Sequence, residues 1–493
     1  MDSKIEKWGI YEACYQGPKE GNPFLEVQFE AVFKHEESLV EVPGFYDGAG
    51  EYKIRFMPEL LGKWTFTSKS NVEELNGKTG SFQCVEPSTN NHGLVRVKDK
   101  FHFEYTDGTP HYSFGTTCYA WIHQSAELQE KTLETLKNSP FNKIRMCVFP
   151  KHYDYNHNEP ELYAYEGNIE KGFDFQKFNP EFFRHLENRI MELQKLGIEC
   201  DLILFHPYDR WGFSKMSQEN DNRYLKYIVS RLAAFRNIWW SMANEYDLFI
   251  DWATGIPFKT IEDWERIAHI VQRNDPFNHL RSIHSCVKFY DHGKPWITHC
   301  SIQRIDAYKT SENTNEWRDL YGKPVVIDEI AYEGNINHGW GNITGQELTR
   351  RFWEGVVRGG YVGHGETYVH PQDILWWSHG GELHGTSPAR IGFLRKIVEE
   401  APGAINPIET PKATINPYWD VTVGVIKEDY YLFYFGFNQP SFRTFNLNKD
   451  NKYKVDLIDT WDMTITELPG TYCGNFRIEM PGKQYMAIRM RKI

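Results

Sequence analysis

Apolar and polar residues alternate with a period of two over the first 90 residues of the chain. The segments FLEVQFEAVF, EYKIRFM, KWTFTSK and GSFQCVE place apolar side chains at every second position, and Gly, Pro and Asn separate them. Such alternation is typical of antiparallel strands that bury one face. The pattern therefore predicts an N-terminal β-sandwich over residues 1–90.

The pattern changes after about residue 110, where short apolar runs alternate with amphipathic helical segments. Eight runs predict strands: HYSFGTTCY, FNKIRMCVF, IECDLILF, NIWWSMAN, LRSIHSC, WITHCSIQ, KPVVIDE and YVGHGETY. Helical patterns fill the gaps. One has Asn179 as N-cap before Pro180, and another has Thr260 and Asp263 in capping-box spacing. Eight strand–helix units over about 290 residues predict a (β/α)8 TIM barrel over residues 91–404.

A doubly wound parallel sheet is the rival architecture for this middle region. That fold would favour a Gly-rich phosphate loop after an early strand, and the sequence contains neither G-x-G-x-x-G nor a Walker A pattern. After about residue 405, alternation returns in VTVGVIKEDYYLFYFGF, KYKVDLIDTWDMTITEL, NFRIEM and QYMAIRM. The predicted fold class is α/β, with a TIM barrel flanked by an N-terminal and a smaller C-terminal β-sandwich, the latter over residues 405–493.

Net charge, apolar content and cysteine usage disfavour several classes of partner and cellular compartment. The net charge is −12, with 67 acidic and 55 basic residues, which disfavours nucleic acid and an anionic membrane surface as partners. No segment has the ~18 uncharged apolar residues of a membrane span, and MDSKIEKWGIYEACYQG lacks the apolar run of a signal peptide. The eight cysteines are scattered without a C-x-x-C motif, so we expect free thiols in a reducing, cytoplasmic compartment.

Two predicted strands end in carboxylates. Strand four, in NIWWSMANEYD, ends at Glu245, and strand seven, in KPVVIDEIAYEG, ends at Glu329, 84 residues later. In a (β/α)8 barrel the chemistry lies at the C-terminal ends of the strands, and strands four and seven lie on opposite sides of the mouth. Two facing carboxylates are what glycoside hydrolysis needs, one protonated and one ionised. The alternative for each glutamate is a salt-bridged structural role.

This pair, with Asn244 directly before Glu245, resembles the clan A retaining glycoside hydrolases. The resemblance implies that Glu245 is the acid/base, that Glu329 is the nucleophile, and that Asn244 binds the hydroxyl next to the anomeric carbon. The wider sequence is similar to the apiosidase-like branch, through HGLVRVKDKFHFEYTDGTPHYSFGTTCYAW and HGETYVHPQDILWWSHGGELHG, and the two flanking β domains accompany that branch. The branch usually carries Gly-Asp-Thr at the end of strand one, where this chain has Gly115-Thr116-Thr117.

Further candidates sit at other strand ends. Arg145 is a candidate to hold the nucleophile ionised, with an interior ion pair as the alternative. A second group consists of candidate sugar contacts: His206 and Tyr208 after strand three, His284 after strand five, Gln303 after strand six, Glu366 after strand eight, and Trp376 and Trp377. For His206 the alternative is a role in packing its loop. Adjacent tryptophans cannot both face the cleft, so we expect one of them in the core. In KHYDYNHNEP a substrate loop is favoured over a metal site, because no H-E-x-x-H spacing supports ligation.

The sequence thus predicts a glycoside hydrolase that acts by double displacement with two glutamates. We expect no cofactor and no metal, and exo-action on short oligosaccharides or on furanoside or pyranoside side chains. One alternative is a non-catalytic carbohydrate-binding protein on a degenerate barrel. A second is a metal-dependent barrel hydrolase, which would lose activity to a chelator.

Overall fold

A computed structural model describes residues 3–36, 38–369, 375–408 and 418–493. Its centre is an eight-stranded parallel sheet in the order five-four-three-two-one-eight-seven-six. Strands five and six are joined by a single parallel bridge between His284 and Ser301, which brings the sheet round into a barrel. The strands, one to eight, are Phe114–Thr117, Lys143–Cys147, Glu199–Ile203, Ile238–Ser241, Leu280–Ser282, Cys300–Gln303, Val325–Glu329 and Tyr361–His364. All eight lie within the predicted runs, and the predicted barrel is confirmed.

Among the described residues, seven long helices follow the strands rather than the predicted eight. They are Ala126–Lys137, Pro180–Lys195, Gln218–Leu232, Ile261–Asn274, Thr314–Tyr321, Gly345–Val357 and Ser387–Glu399. Residues 283–299, between strands five and six, are all described and contain no helix. Gly293 and Pro295 interrupt this short connection, and both residues disfavour a helix interior. The long connection after strand two also contains a hairpin, Tyr165–Asn168 with Gly172–Phe178, that the sequence pattern did not predict.

Local capping signals are confirmed. The Asn179 side chain accepts a hydrogen bond from the Glu181 backbone N–H ahead of Pro180, and Thr260 and Asp263 form a reciprocal capping box. Each cap satisfies helix N–H groups that have no partner inside the helix.

The N-terminal strands form two sheets that pack through an aromatic core. One sheet contains Ser3–Glu6, Phe29–His35, Ser38–Pro43, Gly62–Ser70 and Thr79–Val85, and the other contains Tyr11–Gln16, Phe45–Gly48 and Glu51–Phe56. Buried ion pairs fasten this domain to the barrel: Arg55 Nη1 lies 2.8 Å from Glu187, and Arg231 Nη1 lies 2.8 Å from Asp47. A three-stranded sheet, Val95–Lys98, His102–Tyr105 and Pro110–His111, then leads into barrel strand one.

The C-terminal region contains a six-stranded sheet and a two-stranded sheet. The larger sheet consists of Asn406–Pro407, Thr422–Ile426, Tyr430–Tyr434, Met486–Lys492, Tyr453–Asp459 and Thr464–Glu467, and the smaller pairs Phe442–Asn446 with Asn475–Glu479. Within the described parts of the chain, no helix has the length and apolar character needed to cross a membrane. All eight cysteines are free thiols.

Candidate active site

A cavity of about 200 Å³ opens at the C-terminal ends of the barrel strands. Its walls are aromatic and polar, and residues from the ends of all eight strands or from the loops that follow them contribute to these walls. The lining residues are Tyr119, Lys151, Tyr153, Tyr208, Asn244, Glu245, Cys286, Gln303, Ile305, Glu329, Ala331, Tyr332, Trp340 and Trp377. Both glutamates predicted from the strand ends therefore face the same space.

Glu245 lies on a strained turn just beyond strand four. Its backbone is left-handed, with φ +50° and ψ +56°, a conformation that costs a non-glycine residue on the order of 1 kcal/mol. His284 supports this turn: its carbonyl accepts from the Tyr246 N–H at 2.9 Å, and its Nδ1 faces the Glu245 N–H at 3.4 Å. Burial lowers the pKa of His284 well below its usual value, so Nδ1 is a neutral acceptor. The turn aims the Glu245 carboxyl into the cavity.

Two donors converge on one oxygen of Glu245. The Asn244 amide donates to Oε2 at 3.0 Å, and the Tyr208 hydroxyl donates to the same atom. Asn244 is fixed in turn by Arg145, whose Nη2 donates to its Oδ1 at 3.1 Å. Arg145 also donates to Asp201 at 3.0 Å. This buried chain of hydrogen bonds sets the orientation of the Glu245 carboxyl.

Glu329 is the last residue of strand seven and pairs in register with Gln303 of strand six. The Tyr119 hydroxyl donates to its Oε1. Burial and the neighbouring charge of Glu245 raise the pKa of Glu329 to about 7, against the hydrogen bond from Tyr119 and the positive charges of Lys151 and Arg145. Close carboxylates repel each other's charge, so the two glutamates hold one proton between them until near neutrality.

Six of the predicted site residues line the cavity: Asn244, Glu245, Tyr208, Gln303, Glu329 and Trp377. Five others do not line it: Arg145, His206, His284, Glu366 and Trp376. Arg145 forms an interior ion pair with Asp201 rather than a hydrogen bond to Glu329. This ion pair was the alternative prediction for Arg145. His206 is buried and hydrogen-bonded to the Phe149 carbonyl at 3.1 Å, and therefore packs beneath its loop.

Glu366 and Trp376 have roles behind the cavity. Both Glu366 oxygens accept backbone N–H groups, from His384 at 2.5 Å and from Gly385 at 2.8 Å, so this carboxyl shapes a loop instead of facing a sugar. Trp376 is buried and donates to Thr116 Oγ1 at 2.9 Å, which leaves Trp377 as the cleft-facing member of the pair. Residues 370–374 of the strand-eight motif lie outside the described residues.

Thr116, at the position where the related branch usually has Asp, turns away from the cavity. Its hydroxyl lies 2.9 Å from His364 Nδ1 and accepts from Trp376. Thr116 therefore braces strand one against strand eight and the core tryptophan, and offers no carboxylate to a sugar.

Sequence reasoning missed four prominent lining residues: Tyr119, Lys151, Cys286 and Trp340. Lys151 is 3% exposed, and its ammonium lies over the rings of Tyr119 at 4.3 Å and Tyr208 at 4.4 Å. A lysine directly after the apolar run of strand two was the available signal for it. Trp340, in the loop after strand seven, packs 5.1 Å from the Trp377 ring and extends the aromatic wall.

The segment KHYDYNHNEP supplies Lys151 and Tyr153 to the cavity wall, in keeping with a substrate loop. The rings of His152 and His157 pack edge-to-face with centroids 5.1 Å apart. The described residues contain no group of three or more His, Cys, Asp or Glu side chains arranged to hold a metal ion.

Comparisons with known proteins give the family. A model described as "Apiosidase-like, catalytic domain" matches residues 97–400. Two domains of unknown function, DUF5060 and DUF5605, match residues 4–71 and 419–491. A search of curated proteins found no match.

Solved structures agree with this assignment. A "putative glycoside hydrolase" from Bacteroides vulgatus ATCC 8482 is 38% identical, covers 100% of both chains and superposes with a TM-score of 0.93. A glycoside hydrolase family 5 protein from the same organism is 15% identical, with a TM-score of 0.60 over 82% of this chain and 94% of that chain, and shares the fold. These matches favour an enzyme over the non-catalytic alternative. The chain belongs to the apiosidase-like family and is a glycoside hydrolase.

Proposed function

We propose that the protein is a retaining glycoside hydrolase in which Glu329 is the nucleophile and Glu245 is the acid/base. The observation that carries the proposal is the convergence of these two carboxyls, from the ends of strands four and seven, on one cavity. Each carboxyl has one oxygen held by a tyrosine, Tyr119 for Glu329 and Tyr208 for Glu245. Retaining enzymes use two carboxyls about 5–5.5 Å apart, one as the nucleophile and the other as the acid/base.

The hydrogen bonds support a separate role for each oxygen of Glu245. Because Oε2 accepts from both Asn244 and Tyr208, the transferable proton belongs on Oε1. In the first step that proton passes to the glycosidic oxygen while Glu329 attacks the anomeric carbon. In the second step ionised Glu245 takes a proton from water, and the water oxygen displaces Glu329 from the sugar.

The shared proton must lie on Glu245 when the glycoside is bound. Burial and the charge of Glu245 raise the pKa of Glu329 to about 7. Positive charge that develops at the anomeric carbon favours the ionised form of the nearby nucleophile. The transition state therefore favours the negative charge on Glu329 and the proton on Glu245.

The size of the cavity supports exo-action on short oligosaccharides or on furanoside or pyranoside side chains. About 200 Å³ is below the ~300–1,000 Å³ of pockets that enclose drug-sized ligands, and it suits one sugar ring. Trp377 and Trp340, with ring centroids 5.1 Å apart, offer apolar faces to that ring. Eight free cysteines support a reducing, cytoplasmic compartment as part of the proposal.

Proton NMR of the first sugar released tests the proposal. A panel of aryl furanosides and pyranosides, in both anomeric configurations, identifies a substrate. NMR recorded before mutarotation then shows which anomer forms first. We expect the configuration of the substrate to be retained. Release of the opposite anomer indicates single displacement by water and contradicts the role of Glu329 as nucleophile.

A further inference from the structure

Lys151 occupies an aromatic cage inside the active-site cavity. It lies in the loop after strand two, and its side chain is 3% exposed. The ammonium lies 4.3 Å from the ring centroid of Tyr119, 4.4 Å from that of Tyr208 and 4.5 Å from that of Trp377. Contacts of a desolvated cation with ring faces are attractive, so the cage holds the ammonium in place without a fixed anionic partner.

The two closest rings belong to the two tyrosines that bind the glutamates. Tyr119 donates its hydroxyl to Glu329, and Tyr208 donates to Glu245. The Lys151 ammonium therefore lies between two phenols, each of which ends on one carboxyl of the pair. The geometry places a single positive charge within reach of both glutamates.

The proposed double displacement moves one negative charge between these carboxyls. In the first step a Glu329 oxygen bonds to the anomeric carbon, the bond to the leaving group breaks, and the Glu245 proton goes to the leaving oxygen. The charge then resides on Glu245. In the second step Glu245 takes a proton from water, the water oxygen bonds to the anomeric carbon, the Glu329 ester breaks, and the charge returns to Glu329.

We propose that Lys151 is the fixed counter-ion for this moving charge and thereby positions and stabilises both ionised glutamates. The inference rests on the proposed function and adds a residue to it. Lys151 is the one lysine or arginine among the described residues that line the cavity. With one glutamate ionised at each stage, the cavity stays neutral throughout the cycle, and neither step requires a charge to be buried alone.

The other ionisable groups around the cavity do not replace this charge. They are Tyr119, Arg145, Cys147, Tyr153, His206, Tyr208, Cys286 and Tyr332. Burial lowers the pKa of His206 to about 4, so this ring stays neutral near neutral pH. Burial raises the pKa of each tyrosine and cysteine, so these stay neutral. The Arg145 guanidinium is paired with Asp201 and Asn244 below the cavity floor. Burial lowers the pKa of Lys151, and the charges of Glu245 and Glu329 act in the opposite direction.

The test is the pH dependence of kcat and kcat/KM in variants of Lys151 in the full chain. Lys151→Met keeps a long side chain that packs on rings but removes the charge, Lys151→Gln is a second neutral variant, and Lys151→Arg keeps the charge. Without the cation both carboxyls hold protons more tightly. In the neutral variants we expect both the acidic and the basic limb of the pH–rate profile to move to higher pH by about one unit or more. In Lys151→Arg we expect both limbs to stay in place.

Lys259→Met is the matched control. Lys259 is also buried, lies 5.0 Å from the Phe205 ring and pairs with Asp221 at 2.6 Å, but it does not line the cavity. Arg266 remains beside Asp221 in this variant. We expect Lys259→Met to have a lower thermal stability than the wild type but a pH–rate profile whose two limbs are unshifted.

The outcomes separate this inference from the proposed function. If Lys151→Met and Lys151→Gln lose activity while both limbs stay in place, Lys151 has only a structural role and the inference is wrong. A shift in Lys151→Arg equal to that in Lys151→Met also contradicts it. Inversion of configuration by the wild-type enzyme refutes the proposed function itself, whatever the Lys151 variants do.

Discussion

Glu199, at the start of barrel strand three, is a buried carboxyl remote from the cavity, and its replacement by glutamine should stabilise the protein. It is 4% exposed, and its oxygens accept from Trp239 Nε1 at 3.0 Å and from the Tyr105 hydroxyl at 3.3 Å. Burial raises the pKa of Glu199 from 4.5 to about 8, although both hydrogen bonds and the charge of Arg236 act to lower it. The folded protein therefore keeps this carboxyl protonated at neutral pH.

The cost of that proton follows from linkage. Between pH 4.5 and about 8 the folded protein retains a proton that the unfolded chain has released, so stability falls as pH rises. Each pH unit above 4.5 lowers the free energy of unfolding by about 1.4 kcal/mol. The total loss is about 3 kcal/mol at pH 7 and up to about 5 kcal/mol at pH 8. Glutamine has the shape of the protonated acid without this cost. Glu199→Gln should therefore gain about 3 kcal/mol at pH 7 and almost nothing at pH 4.5.

Thermal unfolding at several pH values measures the effect. At roughly 2–4 °C per kcal/mol, we expect the Tm of Glu199→Gln to exceed that of the wild type by roughly 6–12 °C at pH 7, with the difference vanishing near pH 4.5. Glu166→Gln, an exposed glutamate on the hairpin, is the control and should show no such trend. A Tm difference that is independent of pH, or a destabilised variant at pH 7, would refute the reasoning.

Four further predictions concern the site, the core behind it and the cysteines. Wild-type kcat/KM should fall about tenfold per pH unit above pH ~7, where the glutamate pair releases its last proton, because burial and Glu245 raise the pKa of Glu329 to about 7; a constant rate up to pH 9 would contradict this. Trp377→Ala should raise KM in steady-state assays, since its ring faces the cavity, and should also lower Tm, because the ring is buried against Trp340 and Tyr119. Trp376→Ala should lose about 3–5 kcal/mol of stability in denaturant titrations, because its ring is buried in the core, without the rise in KM; an equal rise in KM in the two variants would be inconsistent with the structure. Thiol titration in denaturant should count eight reactive groups before any reductant is added, and a lower count would reveal a disulfide.

The strands and the glutamate pair could be predicted because their signals are local. Buried parallel strands are short, nearly continuous apolar runs, and all eight are visible in the sequence. Once their order along the chain is known, barrel geometry places the ends of strands four and seven across the mouth from each other. That Glu245 and Glu329 face one another thus follows from strand order, while the separate role predicted for each comes from the family resemblance.

The rest of the site depends on loop geometry that sequence patterns do not encode. Glu366 and His284 follow strand ends just as Glu245 does, yet Glu366 binds the backbone of a loop and His284 supports the turn at Glu245. Tyr119 and Lys151 reach the cavity from loops whose paths are set by long-range contacts, such as the hydrogen bond from the Tyr119 N–H to the Trp377 carbonyl. Periodicity carries no information about these contacts.

The missing helix between strands five and six has a similar cause. A repeating strand–helix pattern predicts an eighth helix by analogy, but this connection is short and contains Gly293 and Pro295. Its path is fixed by a carboxylate from another loop, since Asp247 accepts the backbone N–H groups of Cys286, Val287 and Lys288. The ends of strands four and five, beside Glu245, are thereby tied together without a helix.

Azide rescue of the two glutamate variants tests the assignment of their roles most directly. With a dinitrophenyl glycoside, which needs no proton to leave, Glu245→Ala should still form the glycosyl-enzyme but lack the base for its hydrolysis. Azide attacks without a base, so it should restore the rate of Glu245→Ala and yield a glycosyl azide with the configuration of the substrate. In Glu329→Ala azide attacks the substrate directly and should yield the opposite configuration. If both variants respond alike to azide, or if Glu329→Ala gives the retained product, the roles assigned to Glu245 and Glu329 are wrong.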